Sequence, residues 1–111
     1  MRKLLFKKSE AKSFDAHSDL KVTDYEFGFD SYNACVIELD GTHGPVKNNV
    51  SDESLYIIDG EITVDIEGEI ITGGKGDIVV MPAGKWRVET GKATALAICN
   101  PPYKFEDEEF K

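Results

Sequence analysis

Between Glu61 and Glu67 the chain alternates strictly, with apolar Ile62, Val64 and Ile66 separated by polar Thr63 and Asp65 and flanked by the two glutamates. A period of two places one set of side chains on each face of a pleated ribbon, so the segment reads as a half-buried β-strand. Ala34 to Leu39, Leu55 to Ile58, Asp77 to Met81, Trp86 to Thr90 and Thr94 to Cys99 are further short runs rich in Val and Ile, and helical periodicity is almost absent. Asp40-Gly41, Asp59-Gly60, Glu67-Gly68, Gly73-Gly74 and Gly76-Asp77 punctuate them with residues that tolerate positive φ. Leu55 to Ile58, followed at once by Gly60 and Ile62 to Ile66, reads as a hairpin. Gly73-Gly74-Lys75-Gly76 reads as another hairpin turn, since no helix follows it to present amides to a phosphate. With Leu4 to Lys7 and Leu20 to Phe27 as weaker strands, the count reaches roughly eight to ten, the number expected of a small jelly roll or barrel. Residues 8 to 19 carry no pattern beyond a turn of helix at Ser9 to Lys12, and His17 within them receives no functional role.

A chain of 111 residues with 41% apolar content supports one core, and the expectation is a single domain over residues 1–111. Its barrel core covers about 34–100, its N-terminal strands 1–30 and its tail 101–111. No apolar run approaches the roughly 20 residues that cross a bilayer, and the opening Met1 to Lys8 turns to charge too early for a signal peptide. A cytoplasmic protein with no membrane partner is expected. The net charge of −8 repels nucleic acid. The basic residues Arg2, Lys3, Lys7 and Lys8 read as a solvated edge strand guarded by lysines. Cys35 and Cys99 lie in apolar segments without paired spacing and read as buried free thiols.

Two glycine-bounded blocks carry a more specific pattern. Gly41 is followed after five residues by Lys47, then by Asn49, by Glu53 after three more and by Gly60 after a further six. Gly76 is followed after five residues by Pro82, then by Gly84 and Arg87. In this spacing the chain resembles the cupins, and Asn100-Pro101-Pro102-Tyr103 is similar to the extended exit of small one-domain cupins of the mannose-6-phosphate isomerase-like type. The resemblance implies an all-β, cupin-type jelly-roll barrel (a double-stranded β-helix) and a homodimer. It also implies a degenerate metal site, because a metal-binding cupin would carry histidine where Lys47, Asn49 and Arg87 stand, and only Glu53 of the ligand set is kept.

Physical chemistry points the same way. Protonated Lys and Arg have no lone pair to give a divalent ion, so no cofactor is expected. His43, in the Thr42-His43-Gly44-Pro45 turn, reads as an exposed loop histidine and, with Glu53, as a weak candidate metal ligand. Strand parity sets Glu53, Leu55 and Ile57 inward and Tyr56 and Ile58 outward. It gives Arg87 a common face with Lys85 and Glu89, opposite Trp86 and Val88. A Glu53–Arg87 ion pair in the barrel is therefore expected, either closing the interior or standing in a pocket.

The leading expectation is a metal-free binder of a small polar or anionic molecule, sugar-like or carboxylate, held by Lys47, Asn49, Glu53 and Arg87. A metal-independent sugar isomerase or epimerase with Glu53 as candidate catalytic residue is the first alternative. A metallocupin using Glu53, His43 and Asn49 is the second, and a purely structural or partner-binding barrel is the third. In the dimer, outward aromatics such as Tyr56 and Trp86 would be covered, and Tyr103, Phe105 and Phe110 of the tail would pack over the barrel or a neighbour.

Overall fold

The computed structural model describes residues 3–17 and 19–111, His17 by its backbone only. Among the described residues eight strands form one antiparallel sheet: β1 (Lys12–His17), β2 (Leu20–Asp24), β3 (Asn33–Asn48), β4 (Asp52–Ile66), β5 (Glu69–Gly74), β6 (Ile78–Met81), β7 (Arg87–Asn100) and β8 (Glu108–Phe110). They run in the order β1-β2-β3-β7-β4-β5, with β6 also on β4 and β8 also on β3. Short 3₁₀ turns, Lys8–Glu10 and Phe105–Asp107, precede the first and last strands. Among the described residues no helix is long and apolar enough to cross a membrane.

The barrel is made by three long strands that bend along one line. Gly41 of β3 pairs with Gly91 of β7, and Gly91 pairs with Ile62 of β4, close to Gly60. Gly60 and Gly91 have φ of +86° and +140°, and a Cβ on either would collide with a carbonyl oxygen, that of Lys92 and that of Glu61 respectively. The backbones therefore approach where no side chain fits, and each strand turns the barrel corner without ending.

This corrects two expectations. Leu55 to Ile58 and Ile62 to Ile66 are not the arms of a hairpin but halves of β4, which keeps β7 as neighbour through a bulge between Ile57 and Asp59. Nor do the glycines at 73–76 make a hairpin. β5 and β6 both pair with β4, and the turn between them follows the β4 bend, with the amide of Gly76 donating to the Ile57 carbonyl at 2.8 Å. A glycine after an alternating run thus signals a corner as readily as a reversal. Glu67-Gly68 does reverse the chain, with φ of +49° and +96° and Ile66 facing Glu69.

The core follows parity. Leu39, Leu55, Ile57, Ile62 and Val64 are almost wholly buried on the inner faces of β3 and β4, while Tyr56 and Ile58 point out. Over its second half the central strand β7 contributes Ala93, Ala95, Ala97 and Cys99 inside, and these small side chains let the larger ones of its neighbours meet across it.

The N-terminal expectations fare differently. Leu4 to Lys7 lies in no strand, and β1 forms inside the stretch read as patternless, paired to β2. Only Phe14 and Ala16 are apolar on that edge strand, too weak an alternation to see beforehand. β2 stops at Asp24, whose carboxylate accepts from the Glu26 amide at 2.8 Å and turns the chain at Glu26, φ +50°. Lys3 pairs with Glu10 at 3.8 Å, and Arg2 lies outside the described residues. Cys35 and Cys99 are free and buried, as expected.

The bend makes a testable difference between glycines. Gly76 has φ +89° but nothing within 4 Å of a would-be Cβ, so Gly76→Ala should cost about 1 kcal/mol from conformation alone. Gly60→Ala meets the Lys92 carbonyl as well and should cost at least about 2 kcal/mol more. Urea midpoints of the two variants read that gap, and equal losses would refute the corner.

Candidate functional site

One end of the barrel is polar. Glu53 stands inward on β4 and Arg87 and Glu89 inward on β7; the ladder sets Glu53 opposite Cys99 and Arg87 opposite Ile66, so the Glu53 and Arg87 side chains meet across the barrel interior and are not register neighbours. The Arg87 Nη2 lies 3.4 Å from Glu53 Oε2 and its Nε 3.3 Å from Glu89 Oε2. These are long for charge-assisted hydrogen bonds, so the guanidinium is shared by two carboxylates and gripped closely by neither. The Arg87 and Glu89 side chains are 5% and 2% exposed and that of Glu53 is 20% exposed. Cys99, opposite Glu53 on the ladder, donates its thiol to Glu53 Oε1 at 3.4 Å. The expected Glu53–Arg87 ion pair is present, and Glu89, placed on the Arg87 face by parity but left out of the expected pocket, is its third member.

The pair does not close the interior. A cavity of about 50 Å³ lies against it, with Cys35, Ile37 and Ala97 as its wall and Phe14, Ala16, Leu20 and Val22 of the β1–β2 hairpin as its cover. It exists because the inward residues of β3 and β7 at this level are Cys and Ala. His43, Tyr103 and Glu108 complete its polar side.

Two expected members are elsewhere. Lys47 and Asn49 do not point inward: Lys47 lies 3.5 Å from Glu109 and 5.0 Å above the Trp86 ring, and Asn49 is exposed and donates to Glu109 at 3.2 Å. The cause is a bulge between His43 and Val46 on β3, which shifts parity so that His43, Val46 and Asn48 face in. It is built on Gly44, φ +114°, where a Cβ would lie 2.6 Å from the Arg87 carbonyl oxygen. His43, expected on an exposed loop, is instead 3% exposed, lines the cavity and meets the Phe110 ring edge-on at 6.3 Å. Lys85, expected on the Arg87 face, lies before β7 and is exposed. In the tail, Tyr103 and Glu108 reach the cavity and Phe110 is in β8, whereas Phe105 is 75% exposed. Trp86 packs between Lys47 and Lys111, whose ammonium lies 4.7 Å from the ring.

Burial dominates the electrostatics. It pushes Glu53 above the usual carboxylate range, with the Glu89 charge adding to the effect and Arg87 opposing it. It raises Glu89 likewise against the pull of Arg87, and Glu108 against the Tyr103 hydrogen bond and Arg87. For Arg87 burial works against the charge, but Glu53 and Glu89 more than offset it, so the guanidinium stays charged. Burial takes the Cys35 thiol up to about 12 and raises Cys99 also, so neither is a ready nucleophile. A carboxyl raised in this way can give up or take a proton closer to neutral pH than an ordinary one.

A divalent ion does not fit this donor set. Between the carboxylates it would face the Arg87 guanidinium, at a cost of about 8 kcal/mol for a 2+ charge some 4 Å away at an effective dielectric of 20. Among the described residues no three His, Cys, Asp or Glu side chains converge as ligands, and Asn49 is turned away.

Residues 33–98 match the EutQ-like cupin domain. No curated protein matches the chain in sequence. Among solved structures, a Streptomyces PAC13 variant with uridine superposes with a TM-score of 0.92 at 19% identity, over 100% of this chain and 92% of that one. KdgF from Halomonas sp. superposes at 0.76 and 16% identity, over 94% and 97%. The EutQ protein of Clostridium difficile gives 0.66 and 20%, over 77% and 65%. At these identities the likeness is one of fold.

The raised carboxylates have a consequence for stability. Their folded values lie above the ordinary 4.5, so over the interval just above it the native state binds more protons than the unfolded chain and stability falls as pH rises. Glu89→Gln removes one such group while keeping its shape. As pH rises above about 5 this variant should lose less stability than the parent protein in urea titrations, and parallel losses would contradict the assignment.

Proposed function

Because the chain belongs to the EutQ-like cupin domain family, we propose that it is a small-molecule-binding cupin that takes a polar, hydroxylated ligand at the barrel end holding Glu53, Arg87 and Glu89, without a metal. One observation carries this reading: a buried guanidinium between two carboxylates stands beside a cavity with apolar walls, where a fully packed barrel would have placed Leu or Ile. At about 50 Å³ the cavity takes a ligand's head group, and the rest would lie along the β1–β2 hairpin, where Phe14 is 42% exposed. The PAC13 fold, seen with uridine, supports a ligand of this polarity.

A second reading, catalysis, is favoured by the raised carboxylates. Glu53 would move a proton to or from a substrate carbon or oxygen, as in a metal-independent isomerase, epimerase or dehydratase, and the description of Pac13 as a nucleoside dehydratase supports that range. Lys47, on the outer face, has no part in either reading.

Titration of nucleosides, sugars and small organic acids against thermal unfolding tests the binding reading. A ligand at about a hundredfold over its Kd adds about 2.7 kcal/mol and should raise Tm by roughly 10 °C. Silence across the hydroxylated compounds would refute it. For a ligand that is turned over, Glu53→Gln should abolish turnover while binding remains measurable, and unimpaired turnover would remove Glu53 from catalysis.

The same reading includes a cytoplasmic homodimer. A charge-free row crosses four strands outside the barrel, Ile78–Tyr56–Leu96–Val36, and its first two residues are 64% and 46% exposed. Sedimentation of the parent protein should give a dimer, and Tyr56→Lys a monomer. A monomeric parent would exclude pairing across this face.

A further inference from the structure

The charges around the cavity narrow the class of ligand. We propose that the recognised group is a protonated amine carried on a hydroxylated frame, such as an amino sugar, and this rests on the binding reading above. Four carboxylates line the cavity, Asp24, Glu53, Glu89 and Glu108, and Arg87 is the only Lys or Arg among the lining residues. Three of the four have their donors within the protein. Asp24 accepts from the Asn33 amide and the Glu26 backbone, both at 2.8 Å, Glu53 from Arg87 and Cys99, and Glu108 from the Tyr103 hydroxyl.

Glu89 is different. Its Oε2 faces Arg87, whereas its Oε1 is buried without a hydrogen-bond partner among the described residues, on a side chain 2% exposed that lines the cavity. A buried acceptor of this kind calls for a donor from the ligand.

An incoming carboxylate or phosphate would have to take Arg87 away from Glu53 or Glu89 and then sit among the displaced acids. A lone hydroxyl brings one donor and no charge. An ammonium brings three donors and the charge that is missing, reaching Glu89 Oε1 and the outer side of Glu53 together. It would also draw both carboxylates to their ionised forms, against the effect of burial. Its size suits a cavity of about 50 Å³, and the apolar Leu20, Val22 and Ile37 are left for the carbon frame.

The test compares matched probes on the whole protein near neutral pH. Methylammonium chloride and sodium acetate are set against sodium chloride at equal ionic strength in thermal unfolding, and glucosamine, glucose and glucuronate are compared by calorimetry. Methylammonium should raise Tm by a few degrees where acetate does not. Glucosamine should bind roughly tenfold more tightly than glucose, and glucuronate should not bind. Glu89→Gln should abolish the roughly tenfold preference for glucosamine over glucose, and a preference that survives this variant would overturn the role of Glu89. Stronger effects of acetate or glucuronate, or equal affinities for glucosamine and glucose, would overturn the amine while leaving the binding reading in place. Silence from all five probes also overturns it, and the hydroxylated panel then decides whether binding itself survives. The parent-protein comparison stands whether or not the variant folds.

Discussion

The guanidinium of Arg87, held 5% exposed between Glu53 and Glu89, is the interaction on which the polar end of this barrel depends. Burial holds both carboxylates above the ordinary range, and the one positive charge they share does not fully offset it. A hydrophobic triad of similar volume would make a more stable barrel. The charged one stands beside a cavity, and the proposed binding site rests on that placement.

The geometry that holds this cluster was legible in part. The alternation around Ile62 and the β-rich runs identify an all-β barrel, and the glycine-bounded spacing identifies a cupin, because both are local and repeat along the chain. Parity from Glu53 and from Arg87 places those two side chains together and puts Tyr56 outside, as found. It places Glu89 inside as well, although the glycine-bounded spacing that singles out Glu53 and Arg87 does not include it.

What stayed hidden was set by irregularities. A bulge adds one residue to one strand, and every side chain beyond it changes face, so counting by twos from Gly41 fails after His43. The Gly44-Pro45 dipeptide was the available signal, and it reads equally well as a loop. Long strands that turn corners at Gly60 and Gly91 have the same sequence pattern as hairpins, and only the pairing of both halves with one neighbour tells them apart. β1 was invisible because an edge strand over a cavity needs few apolar residues.

The bulge also explains how the cavity acquires its last members. Lys47 and Asn49, turned outward, meet Glu109, and Val46 to Asn48 pair with β8. These contacts fix the C-terminal segment across the barrel end, and that segment carries Tyr103 and Glu108 to the cavity. The exposed Lys47–Glu109 pair is worth at most about 1 kcal/mol, so the ladder of β3 with β8 and the Phe110–His43 ring contact do most of the fastening. A shift of one residue in register has thus moved two polar side chains from the interior to an outer clasp, and the clasp returns two others, an acid and a phenol, to the site from the far end of the chain.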